Sequence, residues 1–536
     1  MKKFYYLVAG ILSMGMLASC SNEDEIAAGN QGGDKMGAYL TLTLVGANTG
    51  NSRTQTGEDG NEAGETTQVN ENAISDALVL LCDANGVVQS KHQTSVATVS
   101  GSDYMQTDRI QVNTGTYNVY VIANPGSVTT QVKTVEDDGE GNATDINDFA
   151  ISGITADGMT GTNGFASTGK FLMFNECNGN DDTAGASISV GTENTYDNPA
   201  TNADAIKLDR LAAKIRYDEN EDGVNIDAAK VVKDGQENKL TAITFDGIAL
   251  INGIKTTYLQ QHWGKATATA TAAQQYDNIL LTPTVTTDND NSFYYRWDYY
   301  SEIDPRGAEL NEYTVVRDLI KDITPSPFTT DNLYCMENNS FATANDCFAS
   351  ESDRQGNTTG VLFKATATLS SCDEFTIGEG ESQETIKCFY GYNGEFFATL
   401  QALAQKYTTL FASGADAAKT ELQTALASED ADALSDFRLK YDLHVYENCV
   451  MYYTHYIKDQ NYIAAKGSAT AAPYHSVMRN TIYDLIIDRV KGIGDDVPGG
   501  WNPDTDPDKP VDEPTYLQVR CVVNPWVLSS YHIDLQ

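Results

Sequence analysis

The chain has 536 residues, enough for two or three domains that each bury a core. Its 35 Lys and Arg stand against 75 Asp and Glu, a formal charge of −40 that repels nucleic acid and anionic membranes and favours solubility. None of its nine cysteines forms a CxxC pair or stands at zinc spacing from a histidine, which argues against a metal site.

In chain order, Lys2 and Lys3 and the apolar run from Phe4 to Ala18 read as an export signal, too short for a membrane span. The signal ends in Leu17, Ala18, Ser19 and Cys20, which resemble the lipobox of bacterial lipoproteins, where the cysteine is lipidated and becomes residue one. In an oxidising compartment the spacings Cys335/Cys347 and Cys372/Cys388 permit disulfides; buried free thiols fit equally well. After the polar spacer from Ser21 to Lys35, the stretch from Ala38 to Val45 alternates leucine with threonine. This pattern predicts a strand with Leu40, Leu42 and Leu44 on one face. The polar residues from Gly46 to Thr67 predict a long exposed loop. Arg53 is the only basic residue between Lys35 and Lys91, so the Arg53-Thr54 bond is the only trypsin-type cleavage point there.

From Asn70 to about Ala205 the sequence is β-rich, with strands expected at Ala77 to Cys82, Gly115 to Pro125 and Phe171 to Phe174. A second domain is expected to open at Lys207 to Tyr217, with strands at Leu240 to Ile251, Thr256 to Leu259, Phe293 to Tyr300, Gly360 to Leu369 and Ile386 to Tyr390, and to end with Ser476 to Val490. Phe396, Leu400, Leu403, Tyr407 and Leu410 recur at helical spacing, and Ala415 to Leu426 predicts a further helix. Together they suggest a helical insertion near 395–439. The expected fold class is therefore mainly β, in antiparallel sandwiches.

The stretch 498–514, PGGWNPDTDPDKPVDEP, cannot build a core and favours an extended, self-repelling spacer. Beyond it, residues 515–536 alternate again, with Leu517, Val519, Cys521 and Val523 on one face before Pro525 and Trp526 interrupt the run. Such a tethered strand either completes its own domain's sheet or adds to the open edge of another molecule.

Enzyme motifs are missing: there is no G-x-S-x-G, H-E-x-x-H, P-loop or G-x-G-x-x-G, and the six histidines are scattered. No catalytic residue, cofactor or metal ligand is assigned. Asp218 to Gly223 starts like a calcium loop, but Ala229 stands where the bidentate Glu belongs, so an acidic turn is the better reading. Tyr294, Tyr295, Trp297, Tyr299 and Tyr300 admit a surface glycan-binding lipoprotein as the alternative function, or simply a strand with alternating aromatics.

The lipobox, the isolated Arg53, VYVIANP (119–125), RLAAKI (210–215), YCMENN (334–339), VMRNTIYDL (477–485), KGIG (491–494) and VVNPWVL (522–528) together resemble a type V pilus subunit. The closest resemblance is to the structural fimbrillin of the minor (short) fimbriae. It implies two transthyretin-like β-sandwich domains, 54–206 and 207–497, after a signal peptide, 1–19, and a lipidated propeptide, 20–53. It further implies lipidation at Cys20, transit as an outer-membrane lipoprotein, and cleavage between Arg53 and Thr54 by an arginine-specific, trypsin-like protease. The strand bearing Leu40, Leu42 and Leu44 would then leave, and the donor strand of another copy, with Leu517, Val519, Cys521, Val523 and Trp526, would replace it. Implied partners are identical subunits together with fimbrial anchor and tip subunits; implied roles are adhesion, biofilm formation and host colonisation.

Overall fold

The computed structural model describes residues 37–46, most of 71–283, 293–294, 328–339, most of 358–459, 475–498, 511 and 516–525. Cys20, Arg53, Thr54 and Trp526 lie outside these described residues, as does most of the aromatic run from Phe293 to Tyr300. The architecture is mainly β.

In the N-terminal part the continuous apolar run Asp76–Cys82, buried from Ala77 onward, forms the core strand, because a strand covered on both faces needs no polar alternation. It lies between Val88–Thr98 and Gly115–Ala123. Pairing continues from Val88–Thr98 through Met105–Thr107, Thr43–Gly46 and Ile206–Arg210 to Met173–Asn175, which returns to Gly115–Ala123. The strands thus close into one hydrogen-bonded circuit that contains the second half of the leucine-threonine strand. Its first half, Ala38–Thr41, is the middle strand of a three-stranded strip, flanked by Ala200–Thr201 and Ile110–Val112.

The stretch from Lys207 to Tyr217, where a second domain was expected to open, is divided between two sheets. Ile206–Arg210 pairs into the N-terminal circuit, and the changeover comes at buried Leu211, after which Ala212–Glu219 joins the C-terminal sheet. There Ala212–Glu219 runs between Leu333–Met336 and, in parallel, Thr481–Val490. A three-stranded sheet of Leu240–Ile251, Gly360–Leu369 and Val450–Tyr456 also contributes to this core.

The helical insertion belongs to a third sheet built around Glu384–Tyr392 and has its own core, including Phe375, Tyr390, Leu400, Leu403, Leu422 and Phe437. Its first helix is shorter than the spacing of apolar residues suggested. Asn393 and Gly394 turn the chain at φ 47° and 72°, Phe396 sits on a strand, Glu395–Phe397, and the helix runs only Leu400–Lys406. Thr399 caps it, its hydroxyl accepting from Ala402 N at 3.1 Å. The second helix is Ala415–Leu426 as expected, and a third, Ala433–Tyr441, follows.

Candidate strand-exchange site

The leucine-threonine strand is deeply seated. Leu40, Leu42 and Leu44 are fully buried (0 % exposed), while on the other face Tyr39, Thr43 and Val45 are half-buried and Thr41 is buried. One side of its slot is antiparallel, pairing Tyr39 with Gln111, Leu40 with Ile110, Thr43 with Gln106 and Leu44 with Met105. The other side is parallel, with Leu40 opposite Ala200 and Leu44 opposite Ile206.

Between the two halves, at Leu42, side chains complete the ladder. The Leu42 amide donates to Thr107 Oγ1 at 2.9 Å, and Thr107 N donates back to Leu42 O at 3.0 Å. Asn202 brackets the next residue: Thr43 N donates to its Oδ1 and its Nδ2 donates to Thr43 O, both at 2.8 Å. At roughly 1.5–3 kcal/mol per buried side chain, the three leucines contribute on the order of 5–9 kcal/mol to holding the strand in its slot. Without residues 38–46, two rows of backbone donors and acceptors and an apolar trough would face water, an aggregation hazard.

Downstream of Arg53, the chain is gripped at Glu71, a residue that no sequence pattern singled out. Its carboxylate pairs with Lys214 Nζ at 3.3 Å and accepts from Tyr334 Oη at 2.7 Å, and Arg210 Nε donates to its carbonyl at 3.1 Å. Arg210 also donates to Asn480 Oδ1 at 3.1 Å, and Asn480 donates to Asp209 at 2.9 Å. The motifs RLAAKI, YCMENN and VMRNTIYDL therefore meet around one acid. The available clue was Lys214 itself, because a lysine in an apolar strand run must find a buried anion. In consequence, residues 38–46 and the rest of the chain are held independently on either side of Arg53.

The tail forms a strand, Leu517–Pro525, antiparallel to Thr481–Val490 of its own chain. The register runs from Val490 opposite Leu517 to Thr481 opposite Pro525, with a bulge between Ile487 and Arg489. Leu517 and Val523 are buried, Val519 and Cys521 pack half-buried on the core, and Gln518 and Arg520 are exposed. The expected row thus faces inward, and of the two readings of the tail its own sheet is the one occupied here. Its root is fixed where Tyr516 O accepts from Lys491 N at 2.7 Å and Gly492 N at 3.0 Å. The absence of a side chain at Gly492 lets the Tyr516 ring lie close over its backbone.

Beneath this root lies a cavity lined in part by Tyr392, Phe396, His444, Tyr446, Asp495 and Tyr516. Asp496, buried, accepts from His444 Nδ1 at 2.7 Å and Val445 N at 2.9 Å, and the nearby Arg438 cation helps hold its carboxyl below the usual range. Asp495 beside it is pushed up to about 7 by burial and the charge of Asp496.

The two candidate strands match. Residues 38–46 and 517–525 have equal length, and Ala38, Leu40, Leu42 and Leu44 correspond in spacing to Leu517, Val519, Cys521 and Val523. Among the described residues no group of His, Cys, Asp and Glu gathers as a metal site.

Residues 38–210 match the family model "Major fimbrial subunit protein (FimA)", and residues 444–532 match "Major fimbrial subunit protein type IV, Fimbrillin, C-terminal". The first match begins at the leucine-threonine strand, and the second contains the tail strand. Among solved structures, a fimbrilin (fimA) from Porphyromonas gingivalis W83 is similar at 12 % identity and a TM-score of 0.40, covering 92 % of this chain and 99 % of its own. The tip fimbrial protein Mfa3 from Porphyromonas gingivalis, with a C-terminal truncation, is similar at 11 % identity and a TM-score of 0.31, covering 91 % of this chain and 100 % of its own. No curated protein matches the sequence. The family models, and not these superpositions, carry the assignment.

Proposed function

We propose that this chain, which belongs to the fimbrillins and is a structural subunit of a cell-surface fimbrium, is a shaft subunit of the minor-fimbria kind, assembled by strand exchange. The precursor travels as an outer-membrane lipoprotein acylated at Cys20, its slot filled by its own residues 38–46. An arginine-specific protease cuts between Arg53 and Thr54 and severs that strand from a body held at Glu71. Residues 38–46 then leave, and residues 517–525 of another copy, with Trp526 following, enter the slot.

The observation that carries this reading is the match in length and apolar spacing between the buried strand and the tail. Before exchange both strands are satisfied within one chain, which keeps monomers from pairing prematurely. The donor must also leave the edge of Thr481–Val490, so assembly replaces one set of ladder bonds by another. Its net drive comes from the trough that cleavage leaves empty.

The test is N-terminal sequencing of fimbriae sheared from cells. The proposal expects subunits that begin at Thr54, membrane-held monomer from Arg53→Ala, and unprocessed periplasmic protein from Cys20→Ser. Normal fimbriae from the Arg53→Ala variant would overturn it.

A further inference from the structure

Three cysteines meet where the helix-bearing sheet joins the sheet of Gly360–Leu369 and Val450–Tyr456. Cys372 lies in the turn between Gly360–Leu369 and Asp373–Ile377, and Cys449 in the turn between His444–Glu447 and Val450–Tyr456. The backbone stitches the two regions together, with Ala367 N donating to Cys449 O at 2.9 Å. The Cys449 thiol donates to Lys387 O at 3.9 Å and lies against the thiol of Cys372, and both side chains pack on the larger core. Cys388, which sequence spacing offered as the partner of Cys372, is paired through its backbone with Asp373 and Glu447, and its side chain packs in the separate core beneath the helices.

The conformation of Cys449 is a second, independent sign. Asn448 and Cys449 both have positive φ, 53° and 59°. Asparagine tolerates this left-handed region and glycine enters it freely, so turn geometry alone gives no reason for a cysteine at the second position.

We propose that Cys372 and Cys449 are a disulfide-forming pair, a covalent modification site that closes the segment 372–449 around the helical insertion. The oxidant is an external disulfide, protein or small molecule, of the kind available outside the cytoplasm. Cys372 is half-exposed, and the adjacent Cys449 thiol holds its own thiol below the ordinary range, so its thiolate is the attacking group. It attacks one sulfur of the external disulfide, releases one thiol, and is left as a mixed disulfide. Cys449 then loses its proton, and its sulfur attacks that of Cys372, forming the protein S–S bond and expelling the second external thiol. Two protein thiols are oxidised while one disulfide is reduced to two thiols.

The experiment incubates the purified full-length chain with oxidised glutathione, followed by intact-mass measurement, peptide mapping and thermal melting with and without reductant. The expected result is a loss of two hydrogen atoms, a cross-linked peptide pair joining Cys372 to Cys449, and a melting temperature about 5–10 °C higher in the oxidised form. Cys388→Ser should form the same bond, whereas Cys372→Ser and Cys449→Ser should not. The pairing is overturned if mapping joins Cys372 to Cys388, or if both Cys372 and Cys449 remain alkylatable after oxidation.

Discussion

Leu42→Ala isolates the apolar grip on the propeptide strand from its hydrogen bonds. Leu42 is fully buried between the two halves of the strand, while its amide and carbonyl are held by Thr107, whose contacts an alanine would keep. A buried leucine truncated to alanine costs about 2–5 kcal/mol, the higher figure where the surroundings cannot close on the cavity. Once the bond after Arg53 is cut, residues 38–46 are held without a covalent link, so their escape should quicken by a factor between about 30 and several thousand. The assay cuts purified precursor with an arginine-specific protease, follows release of the propeptide by size-exclusion chromatography, and follows multimers on an unboiled gel. Release and multimer formation should both accelerate, with the same final ladder, because the altered residue is absent from the fibre. Release and assembly at the unaltered pace would refute the claim that the leucine row holds the slot closed.

Three further outcomes are expected. Glu71→Ala strands the buried Lys214 cation and should cost about 3–5 kcal/mol in denaturant unfolding, most of it recovered when Lys214→Met is added; a loss below about 1 kcal/mol would contradict the role assigned to the pair. Val519→Asp should abolish the multimer ladder and Gln518→Asp should leave it largely intact, since only the first puts a carboxylate in the apolar row; equal effects would mean the wrong face has been assigned. Asp495 gives a pH signature: its carboxyl titrates near 7 in the fold against 3.8 for the ordinary group, so between these values the fold keeps a proton that the unfolded chain loses, and stability falls as pH rises through the window. Asp495→Asn should therefore melt higher than the parent at pH 8 and differ less at pH 5, and an equal offset at both would count against this account.

The legible parts of the sequence were those governed by local periodicity. Alternating leucine and threonine fixed the strand at 38–46 and its buried row, and the same period fixed the inward face of Leu517, Val519, Cys521 and Val523. A period of two names the face of a strand but not its neighbours. Hence the choice of Thr481–Val490 as the tail's partner, and the roles of Thr107 and Asn202 in closing the ladder, could not be read. Phe396 matched a helical stripe but was claimed by a strand, because Asn393 and Gly394 supply a left-handed turn just before it. Glu71 escaped because its partners, Arg210, Lys214 and Tyr334, lie more than a hundred residues away in sequence. The change of sheet at Leu211 left no mark, because strand-forming residues continue on both sides of it, in Ile206–Arg210 and Ala212–Glu219.

The central claim, that one copy's tail fills the slot vacated in another, is tested most directly by splitting the two functions between two proteins. One is a processed copy lacking residues 515–536, able only to accept; the other is an Arg53→Ala copy, able only to donate. Each alone should remain a monomer, and their mixture should give a one-to-one dimer that survives an unboiled gel and grows no further. No dimer in the mixture, or multimers from the tail-less copy alone, would contradict the account.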